Sequence, residues 1–382
     1  MKNIIICFDG TWNTADAQFP TNVVKTAKLI LPADAKGADQ VVFYDEGVGT
    51  TRVPFAQSLN NALAGAFGIG LMDCIERAYR FLSFNYSPGD RIFIFGFSRG
   101  AFSARSFSGL LRTCGILHKE HIDKVKEAIK LYQSRDREQG ADAAPCVKFR
   151  EDYSFASYSP DTLLTRAFSR SPQPLAIQYL GIWDTVGALG VPGFMHFFHR
   201  QYQFHDLELS RMVKAARHAL AIDERRLTFA ATPWTNFDKL NAEAGQSSSD
   251  PADPPYQQLW FPGDHASVGG GGDVNGLWQA TLVWIIEGAQ RAGLAVDQDD
   301  LEAYRRDIDC KVSVNCMKKP MFSLSSISPR RSRKGPDELP NVSDIARQRV
   351  KQPAADLFEK RLYRPRTLRA VIKSFRSELG IP

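Results

Sequence analysis

Three side chains of this sequence have the types and spacing that ester-cleaving chemistry uses. Ser98 lies at the centre of a Gly-Phe-Ser-Arg-Gly run, Asp184 follows an apolar run, and His265 lies on a glycine-rich loop. A serine hydroxyl becomes a strong nucleophile when a histidine accepts its proton and an acid orients that histidine. We therefore predict that Ser98 is a nucleophile, His265 its base and Asp184 the orienting acid.

The elements predicted around Ser98 agree with this interpretation. Residues 92–95 form a short apolar run typical of a buried strand, and residues 101–111 have helix-forming residues at helical spacing. A GxSxG run between a strand and a helix is the nucleophile elbow of α/β-hydrolases, in which the chain order is Ser, acid, His. An ordinary glycine-rich turn is the alternative interpretation of the same run.

The oxyanion that forms during acyl transfer needs backbone N–H donors near the nucleophile. The turn at Ser98 would direct the N–H of Arg99, at a predicted helix N-terminus, toward that oxyanion. For the second donor we predict the amide of Gly10 or Thr11, after the first predicted strand, because a glycine there permits close backbone approach.

The remaining periodicity predicts an α/β fold with a mostly parallel central sheet, helices on both faces and an inserted cap region. Strands are predicted in residues 3–8, 41–44, 92–95, 176–183, 226–231 and 258–261. Helices are predicted in residues 22–31, 68–84, 101–111, 118–137 and 276–292, and another helix is predicted to end in residues 218–223.

The domain organisation predicted from these patterns has two parts. Residues 1–295 form one α/β-hydrolase domain, and residues 296–382 form a basic, partly mobile C-terminal extension. The irregular polar residues from about 117 to 175 are predicted to be a cap-like insertion over the carboxyl edge of the sheet, with a surface loop as the alternative. The Ser/Pro/Arg-rich run 323–340 is typical of a mobile segment.

Composition and length describe a soluble globular protein. The 382 residues are 43% hydrophobic and 24% charged, and no stretch approaches the ~18 consecutive apolar residues of a membrane-spanning helix. The first residues predict a buried strand and not a signal peptide, so we expect a cytoplasmic protein as synthesised. Six cysteines without CxxC spacing indicate neither a zinc site nor a disulfide framework, and the serine chemistry requires no cofactor.

The net charge of +6 is concentrated near the C-terminus. From residue 330 onward there are 14 Lys/Arg and 6 Asp/Glu residues, so the preceding part of the chain is slightly acidic. Such a basic stretch is suited to nucleic acid, an anionic membrane surface or an acidic partner protein, of which nucleic acid is the least expected. A solvated helix face that aids solubility is an equally good interpretation.

Two motifs that suggest phosphate chemistry lack the residues it needs. Residues 7–11 are similar to the start of an aspartate-nucleophile phosphatase, but Cys7 stands where the nucleophilic aspartate belongs. The four glycines at 269–272 suggest a phosphate-binding loop, but no Lys-Ser/Thr pair follows them. We therefore expect neither activity.

Six motifs taken together resemble one bacterial and fungal α/β-hydrolase family. They occupy residues 8–13, 21–23, 44–50, 96–105, 184–187 and 260–271. The best understood members of that family are the antibacterial phospholipase effectors of the type VI secretion system. The resemblance extends from residue 3 to about residue 295, and it implies a Ser-Asp-His hydrolase of glycerophospholipid acyl esters, with Ser98, Asp184 and His265 on the matching motifs.

The resemblance also implies a set of partners. These are a phospholipid substrate, an anionic membrane surface and an immunity or secretion-apparatus protein, with delivery to a target cell by type VI secretion. The aromatic run 193–204 would then supply acyl contacts through Phe194, Phe197 and Phe198. Ser267 departs from the family, which usually has an aspartate two residues after the histidine. Many effectors also carry large membrane-anchoring regions at the C-terminus, where this chain has only the basic extension.

Two other functions remain open on the residues alone. A soluble esterase of small esters would use the same three side chains. A non-catalytic binding protein would use the basic extension on nucleic acid or an anionic membrane, and its function would survive replacement of Ser98.

Overall fold

A parallel β-sheet forms the centre of the structure, which is a computed structural model. It describes residues 1–10, 13–46, 59–134, 140–157, 174–186, 208–245, 253–317 and 329–380. The six parallel strands are β1 (Asn3–Phe8), β2 (Gln40–Asp45), β3 (Arg91–Phe97), β6 (Ile177–Trp183), β7 (Ala216–Ala221) and β8 (Tyr256–Phe261), in the spatial order β2-β1-β3-β6-β7-β8. Two short strands, β4 (Ile116–Leu117) and β5 (Ser154–Ala156), form a separate antiparallel pair.

Helices cover both faces of this sheet. They are α1 (Asn22–Leu29), α2 (Leu59–Asn85), α3 (Arg99–Cys114), α4 (Val125–Ser134), α5 (Ala144–Tyr153), α6 (Phe237–Ala244), α7 (His265–Gly269), α8 (Leu277–Arg291), α9 (Gln298–Arg306), α10 (Asp344–Lys351) and α11 (Arg369–Ser374). Along β1, Ile4 and Ile6 pack with α2 and α3 on one face, whereas Ile5 and Cys7 pack with α1 and α8 on the other. The central strands β1 and β3 are therefore mostly apolar, since both of their sides are buried. The predicted α/β fold with a mostly parallel sheet is confirmed.

The prediction for residues 216–231 is wrong. The residues predicted to end a helix, 218–223, belong largely to β7. The residues predicted as a strand, 226–231, form a 3₁₀ turn at Leu227–Phe229 between isolated β-bridges at Arg226 and Ala231. The alanine-rich sequence of β7 has good helix propensity, but the strand lies between β6 and β8 with all six residues buried. Tertiary context overrides local propensity at this position.

The described part of the predicted insertion does not lie over the carboxyl edge of the sheet. Arg150 donates to the carbonyl oxygen of Thr113 at 2.9 Å, and Cys114 Sγ donates to that of Ala128 at 3.4 Å, so this region packs at the C-terminal end of α3. Ser98 precedes the opposite end of α3, which is roughly 24 Å long at 1.5 Å per residue. Residues 116–134 and 140–157 therefore pack away from Ser98, and the rest of the predicted insertion, residues 135–139 and 158–173, lies outside the described residues.

Residues 329–380, called the C-terminal segment below, pack against the far edge of the sheet. Leu339, Val342 and Ala346 join an apolar cluster with Leu220 of β7 and Trp260 of β8. Val342 also forms a parallel bridge with Trp260. The division of the chain at residue 295 remains a prediction, but the C-terminal segment shares an apolar cluster with β7 and β8. Among the described helices, none combines the length and apolarity that crossing a bilayer demands.

Candidate active site

Ser98 lies in a tight turn between β3 and α3. Its backbone adopts φ 59° and ψ −119°, and a positive φ is uncommon for a residue that carries a side chain. The N–H of Ser98 donates to the carbonyl oxygen of Trp183 at 3.0 Å, which ties the turn to the end of β6. The strained turn therefore places the serine at the carboxyl edge of the sheet.

Close packing of the backbone requires the glycines on both sides of Ser98. A Cβ on Gly96 would lie 2.5 Å from the carbonyl oxygen of Gly100, and a Cβ on Gly100 would lie 2.5 Å from the carbonyl oxygen of Asp9. Real Cβ atoms do not approach oxygen so closely, so a larger residue would separate α3 from β1 and β3. The GxSxG pattern thus follows from packing as well as from the turn.

The three side chains predicted from the sequence form a hydrogen-bonded series. His265 Nε2 lies 2.7 Å from Ser98 Oγ, and His265 Nδ1 lies 2.6 Å from Asp184 Oδ2. An ionised carboxylate only accepts hydrogen bonds, so Nδ1 carries the proton and Nε2 accepts from the serine hydroxyl. This tautomer is the one in which the histidine can take the serine proton.

His265 is held between two aromatic rings and a capped loop. Its ring centroid lies 4.6 Å from that of Phe97 and 4.8 Å from that of Phe229, and the residue is 5% exposed. Asp264 caps α7 by accepting from the N–H of Ser267 at 2.8 Å. The rings and the cap together fix the imidazole toward Ser98.

Ser267, at which the sequence departs from the resembling family, has its hydroxyl bonded to the backbone. Its hydroxyl donates to the carbonyl oxygen of Val314 at 3.0 Å, and the N–H of Asp264 donates to the same oxygen at 2.8 Å. Ser267 therefore helps to attach the loop that carries His265 to residues downstream of α9.

Asp184 is a fully buried carboxylate with four donors. The N–H of Ala221 donates to Oδ1 at 2.9 Å, His265 donates to Oδ2, and Arg333 donates to both oxygens at 2.6 and 3.0 Å. Burial alone would raise the pKa of Asp184, but the charge of Arg333 and the contact with His265 outweigh it and hold the pKa below its usual range. Asp184 is thus ionised at neutral pH, as an acid that orients a histidine must be.

Arg333 is the site residue that the sequence analysis missed. It lies in the run predicted to be mobile, among other basic residues, and no motif or spacing distinguishes it. Its side chain is only 6% exposed, because it contacts both Asp184 and the carbonyl oxygen of Ala221 at the end of β7. Its position could be found only from the fold.

The structure alters the expectation for the oxyanion donors. The N–H of Gly10 donates to Asp9 Oδ1 at 2.6 Å, so this amide is already occupied, although a Cβ at Gly10 would lie only 3.3 Å from the Cβ of Ser98. Arg99 is the first residue of α3, directly after Ser98. Thr11 lies outside the described residues.

The predicted acyl contacts Phe194, Phe197 and Phe198 also lie outside the described residues. Among the residues that the structure does describe, no group of three or more His, Cys, Asp or Glu side chains is placed to hold a metal ion. All six cysteines are free thiols, four of them buried.

A protein-family comparison matches most of the chain. The family described as "T6SS, Phospholipase effector Tle1-like, catalytic domain" matches residues 2–288. The match includes Ser98, Asp184 and His265, and it ends before the C-terminal segment.

Individual relatives are longer than this chain. Uncharacterized protein YEL023C of Saccharomyces cerevisiae is 32% identical over 251 residues, which are 63% of this chain and 34% of that protein. An uncharacterized protein from Pseudomonas aeruginosa, known from a crystal structure, is 16% identical with a TM-score of 0.41, over 81% of this chain and 49% of its own. A Tle1 effector bound to the VgrG spike of the type 6 secretion system is 19% identical with a TM-score of 0.36, over 70% and 51%. The chain thus spans about half or less of each of these proteins.

Proposed function

Because the chain belongs to the Tle1-like catalytic-domain family of type VI secretion phospholipase effectors, we propose that it is a serine hydrolase of carboxylic esters. The observation that carries the proposal is the unbroken series from Ser98 Oγ through His265 to Asp184, with distances of 2.7 and 2.6 Å. The three side chains follow β3, β8 and β6, as in the triad of an α/β-hydrolase.

The proposed reaction has two half-reactions. Ser98 Oγ bonds to the ester carbonyl carbon while its proton passes to His265 Nε2, and the departing alcohol then takes that proton as the ester C–O bond breaks. A water molecule next gives its proton to His265 and attacks the acyl-enzyme, which releases the acid and returns the proton to Ser98. Asp184 stabilises the imidazolium that forms in each half-reaction.

The oxyanion of each tetrahedral intermediate needs two donors. We assign one to the amide of Arg99, at the N-terminus of α3, where the helix dipole favours negative charge. The loop after β1 supplies the second. Since the amide of Gly10 already donates to Asp9, the proposal for this loop rests on Thr11.

The proposed substrate is a phospholipid, cleaved at an acyl ester as a phospholipase A would cleave it. Phe194, Phe197 and Phe198 are proposed to contact the acyl chain. On the basis of the family, we further propose that the protein is delivered by type VI secretion and that its partners are a secretion-apparatus protein and an immunity protein. An anionic membrane surface is proposed to meet the basic residues that remain exposed on the C-terminal segment, such as Arg330 and Lys360.

Hydrolysis of phospholipid vesicles and of a short-chain p-nitrophenyl ester by the purified protein tests this function. We expect Ser98→Ala to lower phospholipid turnover by at least about a thousandfold, because the proposed acyl-enzyme forms on the Ser98 hydroxyl. Ser103→Ala is the matched control, since Ser103 is a buried serine of the same helix that donates to the Arg99 carbonyl oxygen at 3.3 Å. It should remain active.

The outcomes separate the alternatives. Turnover of the short ester alone would favour a soluble esterase of small esters. If the unaltered protein cleaves neither substrate, or if Ser98→Ala retains its activity, the protein is not a serine hydrolase of this kind.

A further inference from the structure

We infer that Arg333, from outside the family match, is a positioning residue that fixes the carboxylate of Asp184 toward His265 and keeps it ionised. The inference rests on the proposed function, because it assigns Arg333 a part in the same acid–base pair. It gives one residue of the C-terminal segment a role inside the site. The sequence suggested that the basic residues of this segment form a surface for partners.

The contact between Arg333 and Asp184 is bidentate. Nη1 lies 2.6 Å from Oδ1 and Nη2 lies 3.0 Å from Oδ2, so the planar guanidinium faces both oxygens of the carboxylate. Such a fork fixes the plane of a carboxylate as well as its charge. The plane matters here because Oδ2 also accepts from His265 Nδ1 at 2.6 Å.

Arg333 is itself held rigidly from two sides. Nη1 donates to the carbonyl oxygen of Ala221 at 3.0 Å, and Nη2 donates to that of Phe229 at 2.5 Å. The backbone that precedes Arg333 pairs with the chain that follows β7: the N–H of Arg331 donates to the carbonyl oxygen of Arg225 at 2.7 Å. The arginine therefore bridges the end of β7, the turn that carries Phe229 and the acid at the end of β6.

Because the pair is buried, loss of Arg333 would strongly affect the protonation of Asp184. Asp184 is 0% exposed and the Arg333 side chain is 6% exposed. A buried carboxylate without a cation would take up a proton more readily, and a protonated Asp184 could no longer stabilise an imidazolium. Within the described part of the chain, Arg333 is the single lysine or arginine that forms an ion pair with Asp184.

The other acidic and histidine side chains near the pair already have hydrogen-bond partners or are neutral. Glu224 accepts from the N–H of His265 at 3.3 Å, and its carboxylate is paired with Arg226 at 2.6 Å. Asp264 caps α7. On β7, burial and the charge of Arg105 lower the pKa of His218 to about 3, so this histidine is neutral over the working range. Arg333 is therefore the group whose loss would most change the pH dependence of the pair.

The test compares Arg333→Gln and Arg333→Lys with the unaltered full-length protein. Labelling of Ser98 by a fluorophosphonate probe is followed from pH 5 to pH 9, since this reaction needs the serine and its base but not the natural substrate. Arg331→Gln is the matched control, because Arg331 is an exposed arginine two residues earlier on the same segment. Ser98→Ala shows that labelling is specific.

We expect Arg333→Gln to slow labelling at neutral pH by about tenfold to a hundredfold, as small misplacements of a catalytic pair do. The acid limb of its pH profile should move to higher pH, because the site has lost a positive charge. Arg333→Lys should keep the acid limb of the unaltered protein and recover part of the rate, since it keeps the charge but not the fork. Arg331→Gln should change neither quantity.

Unfolding by urea gives a second readout that does not depend on activity. The pKa of Asp184 lies below its unfolded value, so in the unaltered protein the stability it contributes is present at both pH 4.5 and pH 7.5. Without Arg333, burial would raise the pKa of this carboxylate above the unfolded value, so protonation at the lower pH would relieve part of the destabilisation of Arg333→Gln. The lowering of the urea midpoint by Arg333→Gln should therefore be larger at pH 7.5 than at pH 4.5. A purely structural contact would lower the midpoint equally at both.

The results distinguish the two proposals. If the unaltered protein is labelled but Arg333→Gln leaves the rate unchanged, or slows it equally at every pH, the inference about Arg333 is wrong and the serine hydrolase stands. If the unaltered protein is labelled no faster than Ser98→Ala, the proposed function fails, and the role assigned to Arg333 fails with it.

Discussion

The nucleophile and the acid of the candidate site are held by different means. Ser98 is fixed by local backbone, namely a strained turn of five residues in which Gly96 packs against α3 and Gly100 against β1. Asp184 and the loop of His265 are fixed by residues far away in the chain. Arg333 binds Asp184, and the carbonyl oxygen of Val314 accepts from both Asp264 and Ser267.

Because of this difference, we expect substitutions in the two halves of the site to have different effects on activity and stability. The turn at Ser98 cannot be adjusted without moving a whole helix, so changes there should be severe and independent of pH. The acid and base depend on buried charges and side-chain hydrogen bonds, so changes in the C-terminal region should be graded and should depend on pH.

The largest effect is expected from Gly100→Ala. The new Cβ would meet the carbonyl oxygens of Phe8 and Asp9, which are backbone atoms of β1 and the loop after it and cannot rotate away. We expect a loss of about 3 kcal/mol or more in the free energy of unfolding, and no labelling of Ser98.

Gly89→Ala is the control for Gly100→Ala. Unlike Gly100, Gly89 has a positive φ, of 89°, but a Cβ there meets no atom within 4 Å. It should cost only about 1 kcal/mol, from backbone strain alone. A Gly100→Ala protein as stable as Gly89→Ala would contradict the close packing of the turn.

An intermediate effect is expected from Ser267→Asp, which introduces the residue that the resembling family usually has. In this chain the site is 3% exposed and faces the carbonyl oxygen of Val314, so a carboxylate would replace a donor with a buried negative charge beside an acceptor. We expect a loss of about 3 kcal/mol in urea unfolding, and lower hydrolytic activity. Ser267→Ala, which only removes the hydrogen bond, should cost less. Higher activity in Ser267→Asp would show that the departure weakens the site.

The smallest effect is expected from Tyr363→Phe. The Tyr363 hydroxyl donates to Asp223 Oδ2 at 2.6 Å, and the same oxygen accepts from the N–H of Gly263, two residues before His265. Burial raises the pKa of Asp223 to about 6, against these hydrogen bonds. The stability from Asp223 is thus present below its unfolded pKa and is lost as pH rises through about 6.

Removal of the Tyr363 hydroxyl takes away a donor that the ionised carboxylate needs. We expect Tyr363→Phe to lower the free energy of unfolding by about 1 kcal/mol at pH 7.5, and by less at pH 5, where Asp223 is mostly protonated. Thermal unfolding at the two pH values measures the difference. An equal loss at both would mean that the charge of Asp223 plays no part.

The sequence alone was sufficient to predict the half of the site that is formed by neighbouring residues of the chain. The GxSxG run between apolar and helical patterns predicts the turn at Ser98, and β3 and α3 lie where those patterns place them. The order of Ser98, Asp184 and His265 was also enough to select the three side chains that the structure brings together. These features depend on short-range periodicity and on the position of strand ends.

The remaining features depend on contacts that no local pattern reports. β7 has an alanine-rich sequence with helix propensity, and only its neighbours make it a strand. Arg333 lies among similar basic residues, and its partner is 149 positions away in the sequence. The amide of Gly10 was a reasonable donor by position, but the carboxylate of its neighbour Asp9 occupies it.

The bridge between Val342 and Trp260 has a consequence for how the protein behaves in a crowded solution. β8 is the outermost strand on its side of the sheet, and an outermost strand offers unpaired backbone groups to any passing chain. The N–H of Ser343 donates to the carbonyl oxygen of Trp260 at 3.0 Å, so the protein's own backbone takes one of these positions. The C-terminal segment thus covers part of the edge of β8, and its detachment would expose backbone groups of this strand to pairing with another molecule.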